Sequence, residues 1–162
     1  MPEPEIMLRE ATREDEPFLW EALYHALYTP PGRPAPDRAI VRLPEIARYV
    51  AGWGREGDLG VVASEVGQPV GAAWLRVWRG KDKGYGYIDD DTPELSIAML
   101  PAWRGQGIGS RLMAALLGRA RGKFAGVSLS VTISNPAARL YERHGFVIVS
   151  RSGGAATMLL RL

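Results

Sequence analysis

Eight consecutive residues, Arg104-Gly105-Gln106-Gly107-Ile108-Gly109-Ser110-Arg111, set three glycines at alternate positions between two arginines. A strand-like run (94–100) leads into them and a helix-like run (109–121) leads away. The first N–H groups of a helix have no intrahelical partner, and the helix dipole places about half a positive charge there. A phosphate group binds such an end directly. Glycine at 105, 107 and 109 removes the Cβ atoms that would block its approach and permits positive φ. Arg104 and Arg111 add charge on either side. These residues suit the cradling of a phosphate.

Two common phosphate binders do not fit the spacing. A dinucleotide fingerprint needs a third glycine where Leu112 stands, and an acid about 20 residues on, near Leu129. A P-loop needs lysine followed by serine or threonine, whereas this turn ends Gly109-Ser110-Arg111.

Composition removes other chemistries. The chain has no cysteine, so disulfides, thiolate metal sites and cysteine nucleophiles are excluded. His25 and His144 fall in separate helical contexts, where surface or capping roles are the plainer reading. With no cysteine and no serine–histidine pairing evident, no covalent enzyme intermediate is expected, and with no metal-ligand cluster, no metal is expected. No apolar run approaches the roughly 18 residues that span a bilayer, and the acidic start lacks the apolar core of a signal peptide. The expectation is a cytoplasmic protein without membrane or nucleic-acid partners. The 162 residues, 46% hydrophobic, suffice for one domain with a real core. The formal charge of +2 conceals an asymmetry: residues 101–162 hold nine bases and one acid, and residues 1–100 hold 11 bases and 17 acids. The C-terminal part would attract an anion and the N-terminal part a cation.

The elements that must position the glycine turn can be read in order. A first strand (6–12) precedes an amphipathic helix (13–28) in which Phe18, Leu19, Ala22, Leu23, Ala26 and Leu27 follow the helical period, with Thr12 as N-cap. Four prolines make 29–37 a loop, and a short helix (43–54) follows. Strands 59–66 and 70–79 form a hairpin through Gly67-Gln68-Pro69. The glycine-rich, charged loop 80–93 is long enough to be functional. Strand 94–100, the glycine turn, helix 109–121, strand 126–133, helix 136–145 and strands 146–151 and 156–162 complete the chain. This order predicts an α/β or α+β sheet with helices on both faces.

The stretch PAWRGQGIGSRLM resembles the acyl-CoA pyrophosphate-binding motif of the GNAT superfamily of N-acetyltransferases, with Arg104, Gly107 and Gly109 in its pattern. NPAARLYERHGF resembles the second recurrent motif of that superfamily: asparagine before a helix that carries a tyrosine and ends in Gly-Phe. The two stand in the family's order across residues 94–149. The resemblance implies a single domain over residues 1–162. Its fold would be a mixed, mostly antiparallel twisted sheet of about seven strands flanked by about four helices, with splayed central strands.

It also implies roles. The strand before the turn would part from the next strand at a bulge, and the pantetheine arm of acetyl-CoA would lie in the gap. Backbone groups of Met99 and Leu100 would pair with the arm, and the Met99 N–H would polarise the thioester carbonyl. Residues Arg104, Gly105, Gln106, Gly107, Ile108, Gly109 and Ser110 would wrap the pyrophosphate. Asn135 would bond the arm, although its position before Pro136 is also that of a helix N-cap. Tyr141, a core or boundary residue on periodicity alone, becomes the general acid that protonates the departing thiolate. Glu94 becomes the first choice for the base that frees the amine, its alternative being an exposed strand-end glutamate. Relatives that acetylate ribosomal-protein N-termini carry a glutamate in the strand before the asparagine, where this chain has Ser130.

The expected activity is direct acetyl transfer from acetyl-CoA to a primary amine of a small molecule or peptide. The alternative is a binding module that holds acyl-CoA without turnover. Trp20, Tyr24, Tyr28, Trp74, Trp78, Tyr85 and Tyr87, with Asp89, Asp90 and Asp91, would form an aromatic and acidic wall for a cationic acceptor; core aromatics beside a solvated acidic turn is the plainer reading. Homodimers are frequent among such relatives, and the sequence does not choose an oligomeric state.

Overall fold

The computed structural model describes residues 5–162. Seven strands, β1 (Ile6–Glu10), β2 (Leu59–Glu65), β3 (Gln68–Arg76), β4 (Glu94–Met99), β5 (Gly126–Thr132), β6 (Val147–Ser152) and β7 (Ala155–Arg161), join one sheet in the order β1-β2-β3-β4-β5-β7-β6. Every pairing is antiparallel except β4 with β5. The α-helices are α1 (Glu16–Ala26), α2 (Pro44–Ala47), α3 (Ile108–Ala120) and α4 (Ala138–Arg143). The mixed, mostly antiparallel sheet of the sequence reading is present.

Alternation along the strands sorts two cores. On one face Val61, Leu75, Leu95, Leu129 and Met158 pack with Leu112, Met113 and Leu116 of α3. On the other Val62, Ala72, Trp74 and Ala98 pack with Leu19 and Leu23 of α1 and Tyr49 and Val50 after α2. Thr12 caps the entry to the first helix, its hydroxyl accepting from Glu14 N at 3.3 Å, while Asp15 Oδ2 accepts from Thr12 N at 2.7 Å. Helical residues 13–15 form a 3-10 turn before α1 starts at Glu16, and the hairpin turn falls at Val66-Gly67, ahead of the residues the sequence suggested.

The central strands part. β4 pairs with β5 at Glu94–Ser128 alone, supported by Ser128 N donating to Pro93 O at 2.9 Å. The expected bulge is not in β4, whose register with β3 runs unbroken from Arg76–Glu94 to Gly71–Met99. The register shifts lie in β2, at Ala63/Ser64, and in β6, at Ile148/Ser150.

A buried ion pair holds the segment after α2 onto β3. Arg76 donates from Nε and Nη2 to both oxygens of Asp58, at 3.1 and 2.9 Å. Its Nη1 donates to the carbonyls of Arg48 and Ala51, and Asp58 Oδ2 accepts from Gly54 N and Arg55 N. Trp74 Nε1 donates to Tyr49 O at 2.9 Å. These bonds set where Tyr49 stands. Removing one member of a buried pair leaves the other charge uncompensated. Asp58→Ala is expected to lower the unfolding free energy by about 3 kcal/mol, read from urea denaturation; a loss below about 1 kcal/mol would show that the carbonyls alone satisfy Arg76.

Candidate active site

β4 turns one edge toward β3 and the other toward the gap. Leu100 N donates to Val70 O at 2.8 Å, and Leu100 O accepts from Trp103 N at 2.8 Å. Strand N–H groups alternate sides, so the N–H groups of Met99 and Ile97 face the gap. Of the two residues named for the cofactor arm, Met99 therefore offers a free donor there, whereas the N–H of Leu100 is already engaged.

The gap opens into two adjoining cavities. The larger, about 570 Å³, runs between α1 and α4 and is lined by Met99, Arg104, Asn135 and Tyr141, among others. The smaller, about 300 Å³, is lined by Glu94, Ser130, Tyr49 and Tyr85. Asn135, Tyr141 and Tyr28 border both.

The glycine turn lies beyond the Arg104 end of the larger cavity. Gly105 and Gly107 have φ of +73° and +80°, and a Cβ on either would meet no atom within 4 Å. Glycine is needed here for its conformation, and the space beside the turn is open. Gly107 caps α3 without a side-chain bond, which leaves the first-turn N–H groups of Ile108, Gly109 and Ser110 for a ligand. Gly109 is a different case: its Cβ would lie 2.9 Å from Met99 Cε, so it permits close packing of α3 on β4. Arg104 Nη2 donates to His25 O at 3.1 Å, and Gln106 Nε2 donates to Ala102 O at 3.0 Å. Arg111 is turned away, its Nη2 donating to Ile6 O on β1 at 3.0 Å. The arginine pair flanking the turn in sequence is thus not a pair in space. Ser110 Oγ and His144 Nε2 stand 3.0 Å apart, a pairing the sequence did not suggest. Burial, with Arg143 adding to it, holds the His144 pKa below the usual imidazole value.

Asn135 is not the N-cap the sequence suggested: α4 starts at Ala138 with Ala137 as its N-cap and no side-chain cap bond. Asn135 Oδ1 instead accepts from Ala137 N at 2.9 Å in the turn that leads in, while the residue lines both cavities. α4 then carries Tyr141 inward. Gly145, at φ +98°, ends the helix and returns Phe146 against the Tyr141 ring, edge to face at 6.2 Å. Tyr141 is 8% exposed, and burial alone pushes its pKa up to about 12. It remains a proton donor throughout the neutral range.

Glu94 is not an exposed strand end; it is 3% exposed. Its Oε2 accepts from Tyr49 OH at 2.6 Å, and its Oε1 accepts from Trp78 Nε1 at 3.0 Å and Gly86 N at 2.9 Å. The loop 80–93 makes this enclosure. A Cβ on Gly84 would meet Glu94 Oε1 at 2.4 Å and Tyr49 OH at 2.5 Å; one on Gly86 would meet Leu129 C at 2.7 Å and Ser130 N at 2.9 Å. Both glycines let backbone close over the carboxylate. Desolvation raises the Glu94 pKa, opposed by its three donors, to about 6. It is a carboxylate at neutral pH whose affinity for a proton exceeds that of a surface glutamate.

The aromatic wall divides. Trp74 and Trp78 are fully buried core residues. Trp20 Nε1 bonds Glu16, Tyr24 lines the larger cavity, and Tyr28 and Tyr85 stand at the smaller one. Tyr87 OH donates to Asp90, and Asp89 to Asp91 are exposed outside both cavities. Sequence reasoning does not find Tyr49: one tyrosine in the turn after α2 carries no local signal, and its role depends on residues 36 and 45 positions away. Among the described residues no group of three or more acidic or histidine side chains is placed to hold a metal ion, and no helix is long and apolar enough to cross a membrane.

The acetyltransferase (GNAT) family model matches residues 19–146, and the chain belongs to that family. The mycothiol acetyltransferase of Thermobispora bispora is 31% identical over 86 residues, which span 52% of this chain and 29% of that relative. The match thus takes in less than a third of the relative's length. The fold is that of the Salmonella typhimurium protein yncA, solved with its cofactor acetyl-CoA (TM-score 0.67, 24% identity, 98% of this chain and 94% of that one). It is also that of the ribosomal-protein-alanine N-acetyltransferase of Brucella melitensis (TM-score 0.66, 24% identity, 96% and 99%).

The raised pKa of Glu94 has a thermodynamic consequence. Between its ordinary value of 4.5 and its folded value of about 6, the folded state binds more protons than the unfolded state. The contribution of Glu94 to stability therefore falls as pH rises through that window, by about 2 kcal/mol in total. Urea denaturation of wild type and Glu94→Gln across pH 4 to 7 is expected to show this loss in wild type only; parallel curves would contradict it.

Proposed function

We propose that the chain transfers an acetyl group from acetyl-CoA directly to a primary amine, with Glu94 as base and Tyr141 as acid. The observation that carries this reading is the single Glu94–Ser128 pair between β4 and β5, beyond which the gap brings Glu94 and Tyr141 to one cavity. The residues present fit the cofactor. Uncapped N–H groups at the start of α3 beside left-handed Gly105 and Gly107 suit a pyrophosphate, and the net positive charge of residues 101–162 favours its approach. Asn135 NH₂ and the gap-facing N–H of Met99 suit the carbonyls of an extended arm. Acetyl-CoA supplies an acyl carbon activated as a thioester.

The chain's own groups do the rest. An ammonium has no lone pair, so Glu94 takes a proton from the acceptor, directly or through one water. As the N–C bond forms and the C–S bond breaks, the Met99 N–H donates to the oxygen on which negative charge builds. Tyr141 gives its proton to the departing sulfur, and the nitrogen, shedding its second proton as the amide forms, returns one to the tyrosinate, directly or through water. No covalent enzyme intermediate is required.

Tyr141→Phe is expected to lower kcat by about 10²- to 10⁴-fold while leaving acetyl-CoA affinity within about threefold by isothermal titration. For the wild type, kcat/KM should rise with pH through about 6 as Glu94 loses its proton, and this limb should vanish in Glu94→Gln. Gly107→Glu, which sets a like charge at the phosphate cradle, should abolish acetyl-CoA binding. Full activity in Tyr141→Phe would remove the acid assignment, and binding without turnover of any amine would leave an acyl-CoA-binding module.

A further inference from the structure

The smaller cavity is chemically uneven. Among the described residues, Glu94 is the only charged side chain that lines it. Leu23, Leu27, Ile46 and Val131 give it apolar walls, and Tyr28 and Tyr85 stand at its edges. The charged groups nearest in sequence are committed elsewhere: Asp90 accepts from Tyr87 OH, Asp89 accepts from Asp91 N, and Asp82 pairs with Arg48 and Arg55. Lys83 Nζ sits 4.3 Å from the centre of the Tyr87 ring. Arg104, the arginine of the neighbouring cavity, is tied to His25 O.

Charge balance then selects the guest. One ammonium entering beside one carboxylate gives a neutral pair. A second ammonium would find no second carboxylate, and a carboxylate no base, because the other polar residues lining the cavity among those described, Ser96, Ser130, Thr132, Asn135 and the tyrosines, are neutral. The volume of about 300 Å³ has room for about ten water-sized groups. The edge is built rather than incidental. Tyr85 N donates to Tyr49 OH at 2.7 Å, the same hydroxyl that holds Glu94, and Tyr28 OH donates to Ser134 O at 3.3 Å. Tyr85 is 63% exposed, so its ring is held at the mouth without serving the core.

We infer that the acceptor is a small primary monoamine with an apolar or aromatic body and no carboxylate, its nitrogen at Glu94 and its body against Leu27, Ile46, Tyr28 and Tyr85. The inference rests on the transferase reading above. Among the small-molecule and peptide amines that the sequence left open, it excludes polyamines, aminoglycosides, amino acids and long peptides, and it gives the acidic turn 89–91 no part in recognition.

The test measures acetyl transfer from acetyl-CoA to phenethylamine, phenylalanine, cadaverine and an alanine-led tripeptide amide, beside isothermal titration of acetyl-CoA alone. Phenethylamine should exceed phenylalanine and cadaverine in kcat/KM by about 100-fold or more, since each of those leaves one unpaired charge, and should also exceed the tripeptide. Ile46→Glu, which adds a second carboxylate, should shift the cadaverine to phenethylamine ratio at least about tenfold toward the diamine. Acetyl-CoA binding with any of the other three acceptors equal or preferred, or with none acetylated, would overturn the inference. So would an unchanged ratio in an Ile46→Glu protein that still binds acetyl-CoA. Absence of acetyl-CoA binding by the wild type would instead remove the transferase reading on which it rests.

Discussion

The site depends on a sheet that stops pairing. β4 and β5 share one bridge, Glu94–Ser128, and beyond it the N–H groups along one edge of β4 have no strand to meet. Unpaired edge groups are ordinarily a liability. Here they lie inside the molecule, between α1 and α4, where an extended ligand can take the place of the absent strand. Antiparallel β3 on one side and β7 on the other keep β4 and β5 straight enough to hold the gap open. The backbone of Gly86, lying against Leu129 and Ser130, occupies the level at which the next pair would form.

A second constraint follows at the closed end. A buried carboxylate opposes folding unless donors surround it, and Glu94 has three. Those donors come from the segment after α2, from the end of the β3 hairpin and from the loop 80–93. Each is anchored separately: Tyr49 by Trp74 and by the Arg76–Asp58 network, Trp78 by the core, and Gly86 by its fit against β5. Arg76 lies opposite Glu94 in the β3–β4 register, so the two buried charges of opposite sign sit on adjacent strands, each with its own partners. The arrangement keeps a proton acceptor inside a cavity whose other lining residues, among those described, are uncharged, at a local loss of stability.

The sequence was informative where function is local. Strand alternation and helix periods located all seven strands and three of the four helices within a few residues, the second helix ending at Ala47 rather than running to Gly54. The glycine turn announced an uncapped helix start because glycine at 105 and 107 has a backbone reason to be there. Tyr141 is named through its motif and Glu94 through the family resemblance at the strand start, and both line one cavity. Long-range partnerships were not legible. Tyr49, Gly84 and Gly86 matter through contacts with Glu94, and no period or spacing encodes such contacts. Arg111 misled because adjacency in sequence is not adjacency around a helix, where it faces β1. For the Asp89–Asp91 run the plainer reading holds: it is a solvated acidic turn, exposed and outside both cavities.

The most direct measurement of the account is amide hydrogen exchange, resolved to single residues by NMR, with and without acetyl-CoA. If the ligand replaces the missing strand, the amides of Met99 and of Ile108, Gly109 and Ser110 should exchange readily in the free protein and slow at least about tenfold on binding. Leu100, already bonded to Val70, should change little. Bound acetyl-CoA that leaves Met99 unprotected, or protects a different surface, would contradict the claim that the parting of β4 and β5 is the site.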